Sequence, residues 1–411
     1  MNQYQIEARK SNGKEIAERF KILMKDGMWR VTSSKSPRKS YEVCFSPTNV
    51  SCTCPDHAAT RGWCKHIYAV EHILRGGDDP PEPEDTPPPG PKRPTYPRDF
   101  AKINAAQTTE EDEFEPLLYN LCQTIPQPEH RRGRRPVPIG DAVFAVVSKV
   151  YMTKSARRVI PRLRVAHERG HLQKPVKFNT ISSYLEKEEL TEILLDLIIK
   201  SNLPLVSLET VFAIDSTGIV GSRFVRWTDI KYRGLTEHVW AKVHLMCGVK
   251  THIVTAATIG ERNASDLVQL PDLLRTTAKN FNVREVLGDI AYNTVENQKE
   301  VDAIGAEAFF PFKKSHSGRR GGIWREKYLQ WRDDYEYFSK HYHQRSNVES
   351  VMMMIKSKFG DAVRSKTETA MRNEVYCKLI CHNIYCLIMA MHRLDIGAGF
   401  MAASFQKEAA D

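Results

Sequence analysis

The C-terminal half of the sequence predicts an α/β fold, a mixed sheet with flanking helices, and two observations predict it. From Leu205 onward, short apolar runs of strand length alternate with longer runs of helical period. Three strand-like runs, at 211–214, 239–247 and 252–259, precede the first long helical pattern at 266–280; a strand at 286–288, a helix at 294–304 and a strand at 308–312 follow. The second observation is the run Val211-Phe212-Ala213-Ile214, continuous in β-branched and aromatic residues, as in a strand buried on both faces.

Residues 1–75 predict a small ββα unit. A short helical pattern surrounds Ile16, Phe20 and Leu23, and then Trp29-Arg30-Val31-Thr32-Ser33 and Tyr41-Glu42-Val43-Cys44-Phe45 alternate apolar with polar like half-buried strands. A basic turn, Lys35-Ser36-Pro37-Arg38-Lys39, separates them. Next comes a Cys-x-Cys-x9-Cys-x-His array of Cys52, Cys54, Cys64 and His66, whose three thiolates and one imidazole satisfy one tetrahedral, structural Zn²⁺. His57 and His72 are rival ligands. Ile67, Val70, Ile73 and Leu74 then mark a helix with one apolar face. The array with its flanking strands and helix resembles the SWIM-type zinc finger, and that resemblance implies a DNA-binding or protein-binding role; the basic turn favours DNA.

Residues 76–99 are a proline-rich acidic linker, unable to supply strand or helix hydrogen bonds and suited to an extended tether. The mainly helical region at 100–204 shows three helical patterns: Phe114 to Cys122, Val143 to Val150 and Leu190 to Ile199. Between them, Arg131, Arg132, Arg134, Arg135, Lys149, Lys154, Arg157, Arg158, Arg162 and Arg164 are opposed only by Asp141, a charge balance suited to gripping DNA phosphates. No side chain there is assignable to base readout. Residues 205–395 form the α/β unit, 396–411 a tail, and the apolar stretch from Val375 to Met391 a buried helix in which His382 and Asn383 are satisfied core groups.

Chemistry concentrates in three carboxylates. Asp215 and Asp289 each end an apolar strand-like run, where open α/β sheets place their sites. Glu349 lies in a helical stretch from Tyr342 to Lys356, and at about 100° per residue Tyr342, Arg345, Glu349 and Lys356 share an arc of roughly 60°. Val348, Val351, Met352, Ile355 and Phe359 fill the neighbouring arc, which can bury. The three carboxylates could converge on a pair of Mg²⁺ ions, hard cations that prefer oxygen ligands and that act in phosphodiester cleavage.

With Tyr342, Arg345, Glu349 and Lys356 at Tyr-x2-Arg-x3-Glu-x6-Lys spacing, Ala213-Ile214-Asp215-Ser216 and Asp289-Ile290-Ala291-Tyr292, the sequence resembles the DDE transposases of bacterial insertion sequences. Phe224-Val225-Arg226-Trp227, Val243 to Gly248 and Cys381-His382-Asn383 look like further landmarks. The resemblance implies an RNase H-like catalytic domain in which Asp215, Asp289 and Glu349 hold magnesium, Arg345 and Lys356 bind phosphates near the cleaved end, and Tyr342 positions that strand. It also implies cleavage at element ends, strand transfer into target duplex DNA, and a homodimer in the synaptic complex. The region from Lys313 to Lys340 is shorter than the insertion some relatives carry there.

The totals agree with a DNA-acting protein. A formal charge of +10 over 411 residues favours a polyanionic partner. No signal peptide or spanning apolar run is evident, which places the protein in the cytoplasm, associated with the nucleoid and not with a membrane. Cys44, Cys122, Cys247, Cys377, Cys381 and Cys386 lie in apolar contexts and read as reduced core thiols. The rival class is a non-catalytic DNA-binding regulator or adapter on the same scaffold, a reading that intact carboxylates oppose.

Overall fold

A computed structural model describes residues 3–34, 36–46, 49–76, 99–129, 136–221, 240–260, 265–313 and 315–400. Nearly all of the expected linker, the arginines at 131–135, the segment Phe224 to Trp227 and the tail beyond residue 400 lie outside them. The chain divides into two compact units, Met1–Pro97 and Arg98–Asp411.

In the first unit α1 (Gln3–Arg19) leads into a four-stranded antiparallel sheet of β1 (Ile22–Lys25), β2 (Met28–Ser33), β3 (Ser36–Phe45) and β4 (Val50–Cys52), followed by α2 (Pro55–Thr60) and α3 (Lys65–Gly76). Two strands were expected and four are present among the described residues. Leu23, expected on a helix, lies in β1, because Asp26-Gly27 turns the chain into a hairpin with φ of 51° and 76°; both values are left-handed, as a type I′ turn requires. From Ser36 onward the stretch expected as a basic turn is itself strand, with Ser33 paired to Ser36. Ile16, Trp29, Val31, Val43, Ile67 and Val70 form the core.

The second unit opens with five helices, α4 (Phe100–Gln123), α5 (Ile139–Tyr151), α6 (Ala156–Glu168), α7 (Phe178–Leu185) and α8 (Glu188–Asn202). Sequence periodicity points to three of them. It misses α6 because an apolar stripe of Val159, Leu163 and Ala166 is interleaved with arginines, and it misses α7 because only Ile181 and Leu185 are buried there.

The sheet that follows runs β7-β6-β5-β8-β9, with β5 (Val211–Val220) at its centre. The first three strands, β5, β6 (Trp240–Gly248) and β7 (Val254–Gly260), are antiparallel. β8 (Glu285–Leu287) and β9 (Glu307–Phe309) run parallel to β5, which completes the mixed sheet of an RNase H-like fold. Alternation along β5 sends Phe212 and Ile214 to one face, against α9 (Leu270–Ala278) and α10 (Val295–Ala303). Ala213 faces the opposite layer, which holds α8 and the helices after the sheet: α11 (Gly322–Asp333), α12 (Tyr335–Tyr342), α13 (Ser346–Phe359) and α14 (Glu368–Leu394). The helical region and the sheet therefore share one core.

By length and composition α14 could cross a membrane, yet 78% of its apolar window is buried among the other elements, as in a core helix. Its buried Glu374 accepts hydrogen bonds from the Lys149 ammonium of α5 at 3.1 Å, the Arg364 amide at 3.0 Å and the Ser365 amide at 2.9 Å. Burial works against the charged form, but Lys149 and these donors hold the Glu374 carboxyl below the ordinary glutamate range. Its contribution is thus present above that range and is lost as pH falls through the depressed folded-state value. Glu374→Ala should destabilise the protein by about 3–5 kcal/mol, because it strands a buried ammonium. Urea denaturation at neutral pH checks this, and the gap between the two proteins should narrow on acidification.

Candidate active site and metal centre

Asp215 lies within β5 and not at its end as expected. Its parallel neighbour β8 stops at Leu287, opposite Ala213, while the antiparallel pairing with β6 continues to Val220. Asp215 therefore sits just past the end of the parallel half of the sheet, on a strand still held on its other side. Asp289 follows β8 by two residues, and its carboxylate caps a short 3-10 turn by accepting the Ala291 amide at 2.8 Å. The glycine before it is required: a Cβ on Gly288 would stand 2.9 Å from the Phe310 ring.

The stretch from Tyr342 to Lys356 is not one uniform helix. Tyr342 ends α12, residues 343–345 form a 3-10 turn, and Ser346 begins α13. All of these residues stay in right-handed helical conformation, so Arg345 still reaches Glu349 one turn on. α12 is fixed on the sheet by His341, whose ring stacks on Phe309 at 4.8 Å and whose Nδ1 lies 2.9 Å from Glu285.

The structure brings Asp215, Asp289, Glu349, Arg345 and Tyr342 into one electrostatic neighbourhood. The Arg345 guanidinium forks between Asp215, at 3.0 Å, and Glu349. Burial pushes the Asp215 carboxyl above the ordinary aspartate range; the Ser216 amide and Arg345 oppose this, and the charges of Asp289 and Glu349 add to it. Burial likewise raises the Tyr342 phenol, against the pull of Arg345. Arg345, expected from the sequence to face phosphate, is thus engaged with two carboxylates. Lys356 donates to the Thr217 hydroxyl at 2.6 Å.

Thr217 was missed, and Tyr292 was expected only as part of the Asp289 motif, with no role of its own. Thr217 is two residues beyond Asp215 on the same strand face, a signal that period-two reading could have found. Tyr292 is buried with its hydroxyl unpartnered among the described residues, and the charges of Asp266, Asp215 and Asp289 join burial in raising it. No periodicity marks that placement. Hard oxygen donors, a half-buried aspartate burdened by two further negative charges and a cation already drawn between two of them make a donor set that could take a hard divalent cation.

In the first unit the ligating atoms of Cys52, Cys54, Cys64 and His66 all lie within 4.8 Å of one another, and all four residues are buried. His66 Nδ1 stands 3.9 Å from Sγ of both Cys52 and Cys64, near the edge of about 3.6 Å that zinc–ligand bond lengths give a tetrahedron. The other two histidines stand elsewhere: His57 bonds the Gly62 carbonyl through Nδ1 at 2.9 Å, and His72 is exposed on α3. The Cys54 amide donates to Cys52 Sγ and the His57 amide to Cys54 Sγ, each at 3.4 Å, which favours thiolate. A hydrogen bond from Cys52 pushes the Cys64 thiol down to about 3, while the same bond and burial push Cys52 up.

Residues 207–384 match the family model described as Transposase DDE domain, and residues 36–74 match the SWIM zinc finger. The carboxylate site lies inside the first match and the Cys/His cluster inside the second. No solved structure matches the chain.

Cys64→Ser should lower bound zinc from about one per chain and unfold the first unit, leaving the second unit's structure unchanged. Elemental analysis with circular dichroism reads both effects. Full zinc retention would remove Cys64 from the ligand set.

Proposed function

We propose that this chain, which carries a transposase DDE domain and a SWIM zinc finger, is a metal-dependent transposase that binds the ends of an insertion sequence, cuts the DNA strand there and joins it to target DNA. The observation that supports the reading is Arg345 bridging Asp215 on the strand and Glu349 on the helix, with the charge of Asp289 felt at Asp215, within the span that matches the transposase domain. These three residues would hold Mg²⁺, in a pair as two-metal nucleases do. Bound there, the metal supplies activation of the attacking oxygen and stabilisation of the leaving oxygen.

The chain's own groups orient the substrate. Arg345 offers a planar fork that suits a phosphate as well as the carboxylates it now bridges. Lys356, steadied by Thr217, offers a point charge about two helical turns from Glu349 and about three from Arg345. Tyr342 lies beside Arg345 and is suited to packing against the cleaved strand. The basic helical region and the finger supply DNA contacts, and synapsis of two ends would require a homodimer. A protein acting on chromosomal DNA works in the cytoplasm at the nucleoid.

Glu349→Gln should abolish Mg²⁺-dependent strand cleavage and leave DNA binding within about threefold, since a metal-binding charge goes while shape stays. Asp215→Asn and Asp289→Asn should behave alike, and normal cutting by any of the three excludes that residue from the site. Arg345→Lys should cut about 10- to 100-fold more slowly, a barrier increase of about 1.4–2.7 kcal/mol, because an ammonium cannot copy the fork. Lys356→Ala should weaken binding to cleaved ends and lower its salt dependence by about one phosphate contact.

A further inference from the structure

The arginine-rich segment resolves into two kinds of cation once its contacts are read. Lys149 is buried against Glu374, and Arg162 pairs with Glu115 at 3.0 Å, so neither is presented to a partner. Lys154, Arg157, Arg158 and Arg164 are exposed. Between residues 154 and 187 nine lysines and arginines stand against two glutamates, whereas α4 and the first half of α8 are acidic.

α7 follows α6 through a connection at residues 169–177 that is fixed in place. Leu172 and Val176 are buried, Asp141 accepts the Gln173 and Lys174 amides at 2.9 Å each, and His171 lies 2.9 Å from Glu115. The connection brings the start of α7 back to the start of α6, where the Arg157 guanidinium covers the Phe178 ring at 4.7 Å. α7 buries Ile181 and Leu185 and exposes Asn179, Ser182 and Ser183. At 100° per residue those three side chains occupy one arc of about 100°, and exposed Lys177 precedes the helix as its extended N-cap residue. The Ser182 and Ser183 hydroxyls are bonded back to the Phe178 and Thr180 carbonyls, at 3.5 and 3.1 Å, and each oxygen retains capacity to accept. A short, rigidly backed helix whose outer face carries small uncharged donors and acceptors, with Arg157 at its start and further exposed arginines on α6, is suited to a groove lined by phosphates and floored by base edges.

We propose that α6 and α7 form the sequence-reading element for duplex DNA: Asn179, Ser182 and Ser183 contact base edges in the major groove, and Arg157, Arg158, Arg164 and Lys177 contact the flanking phosphates. An Asn amide pairs with adenine through two hydrogen bonds, and Ser hydroxyls pair with either donor or acceptor edges. Glu186 and Glu188, at the far end of α7, require the helix to enter by its N-terminal end. The inference rests on DNA being the substrate and supplies the base readout that the function needs.

The test is selection from a duplex library with a randomised centre of about 20 base pairs, using the full chain in magnesium-free buffer so that no cutting occurs. The wild type should enrich a defined sequence. The triple variant Asn179→Ala, Ser182→Ala, Ser183→Ala changes only exposed side chains and should keep the wild-type melting temperature. It should bind random duplex within about threefold of wild type and prefer the enriched sequence about 10- to 100-fold less. The triple variant Arg157→Ala, Arg158→Ala, Arg164→Ala should bind all sequences more weakly and reduce the salt slope by about 2.7. Enrichment of the same sequence by the α7 variant, or of no sequence by the wild type, overturns the proposal. Enrichment without cleavage in magnesium would sink the catalytic reading and leave this one standing; cleavage with an unaltered preference in the α7 variant would sink this one alone.

Discussion

The carboxylate site depends on a row of buried polar side chains along α14. Asn373, Glu374, Lys378, His382 and Asn383 are all nearly inaccessible to solvent, and each satisfies irregular backbone or a buried partner on a different element. Asn373 donates to the Leu185 and Lys187 carbonyls at 3.0 Å, holding the turn between α7 and α8. Lys378 donates to the Gly360 and Ala362 carbonyls at 2.8 and 2.9 Å, where α13 ends. Asn383 exchanges hydrogen bonds with Val254 at the start of β7. A shift of α14 by one residue would leave these groups unpaired, at about 1–3 kcal/mol for each neutral one and more for the charges.

That row reaches the site through the loop after α13. The Val220 amide donates to the Asp361 carbonyl at 2.8 Å and the Val363 amide to the Val220 carbonyl at 3.0 Å, so the loop that Lys378 and Glu374 clamp also pairs with the end of β5. Asp215 and Glu349 are thereby held relative to each other by one piece of backbone. At the other end of α13, His382 bonds the His252 carbonyl at 2.9 Å, and His252 Nε2 lies 3.1 Å from Asn347. The helix that carries Glu349 is tied to α14 at both ends.

How much of this the sequence reveals follows from what kind of signal each residue leaves. Strands β5 to β9 were visible because alternation and β-branched runs report burial directly, and the Cys/His array because spacing reports a tetrahedron. The strand before the finger was not, because Leu23 continues a helical period and only Asp26-Gly27 betrays the hairpin. The mid-strand place of Asp215 depends on where its neighbour β8 stops, which no local pattern encodes. Similarly, Lys149 and Arg162 look like Arg157 in sequence, and only Glu374 and Glu115, distant along the chain, separate anchoring cations from presented ones.

Arg345 offsets the mutual repulsion of the carboxylates around it. The carboxylates repel one another, and Asp215 is pushed up by burial first and then by the charges of Asp289 and Glu349. A guanidinium forked between Asp215 and Glu349 offsets this repulsion with charge-assisted hydrogen bonds. The positions are unequally rigid: Asp215 is fixed in a strand and its side chain is 20% exposed, Asp289 is fixed by capping its own turn, and Glu349 stands on the helix surface at 57%. The freedom to rearrange when charge enters the site therefore lies on the helix side, in Glu349 and Arg345, while the sheet side stays in place.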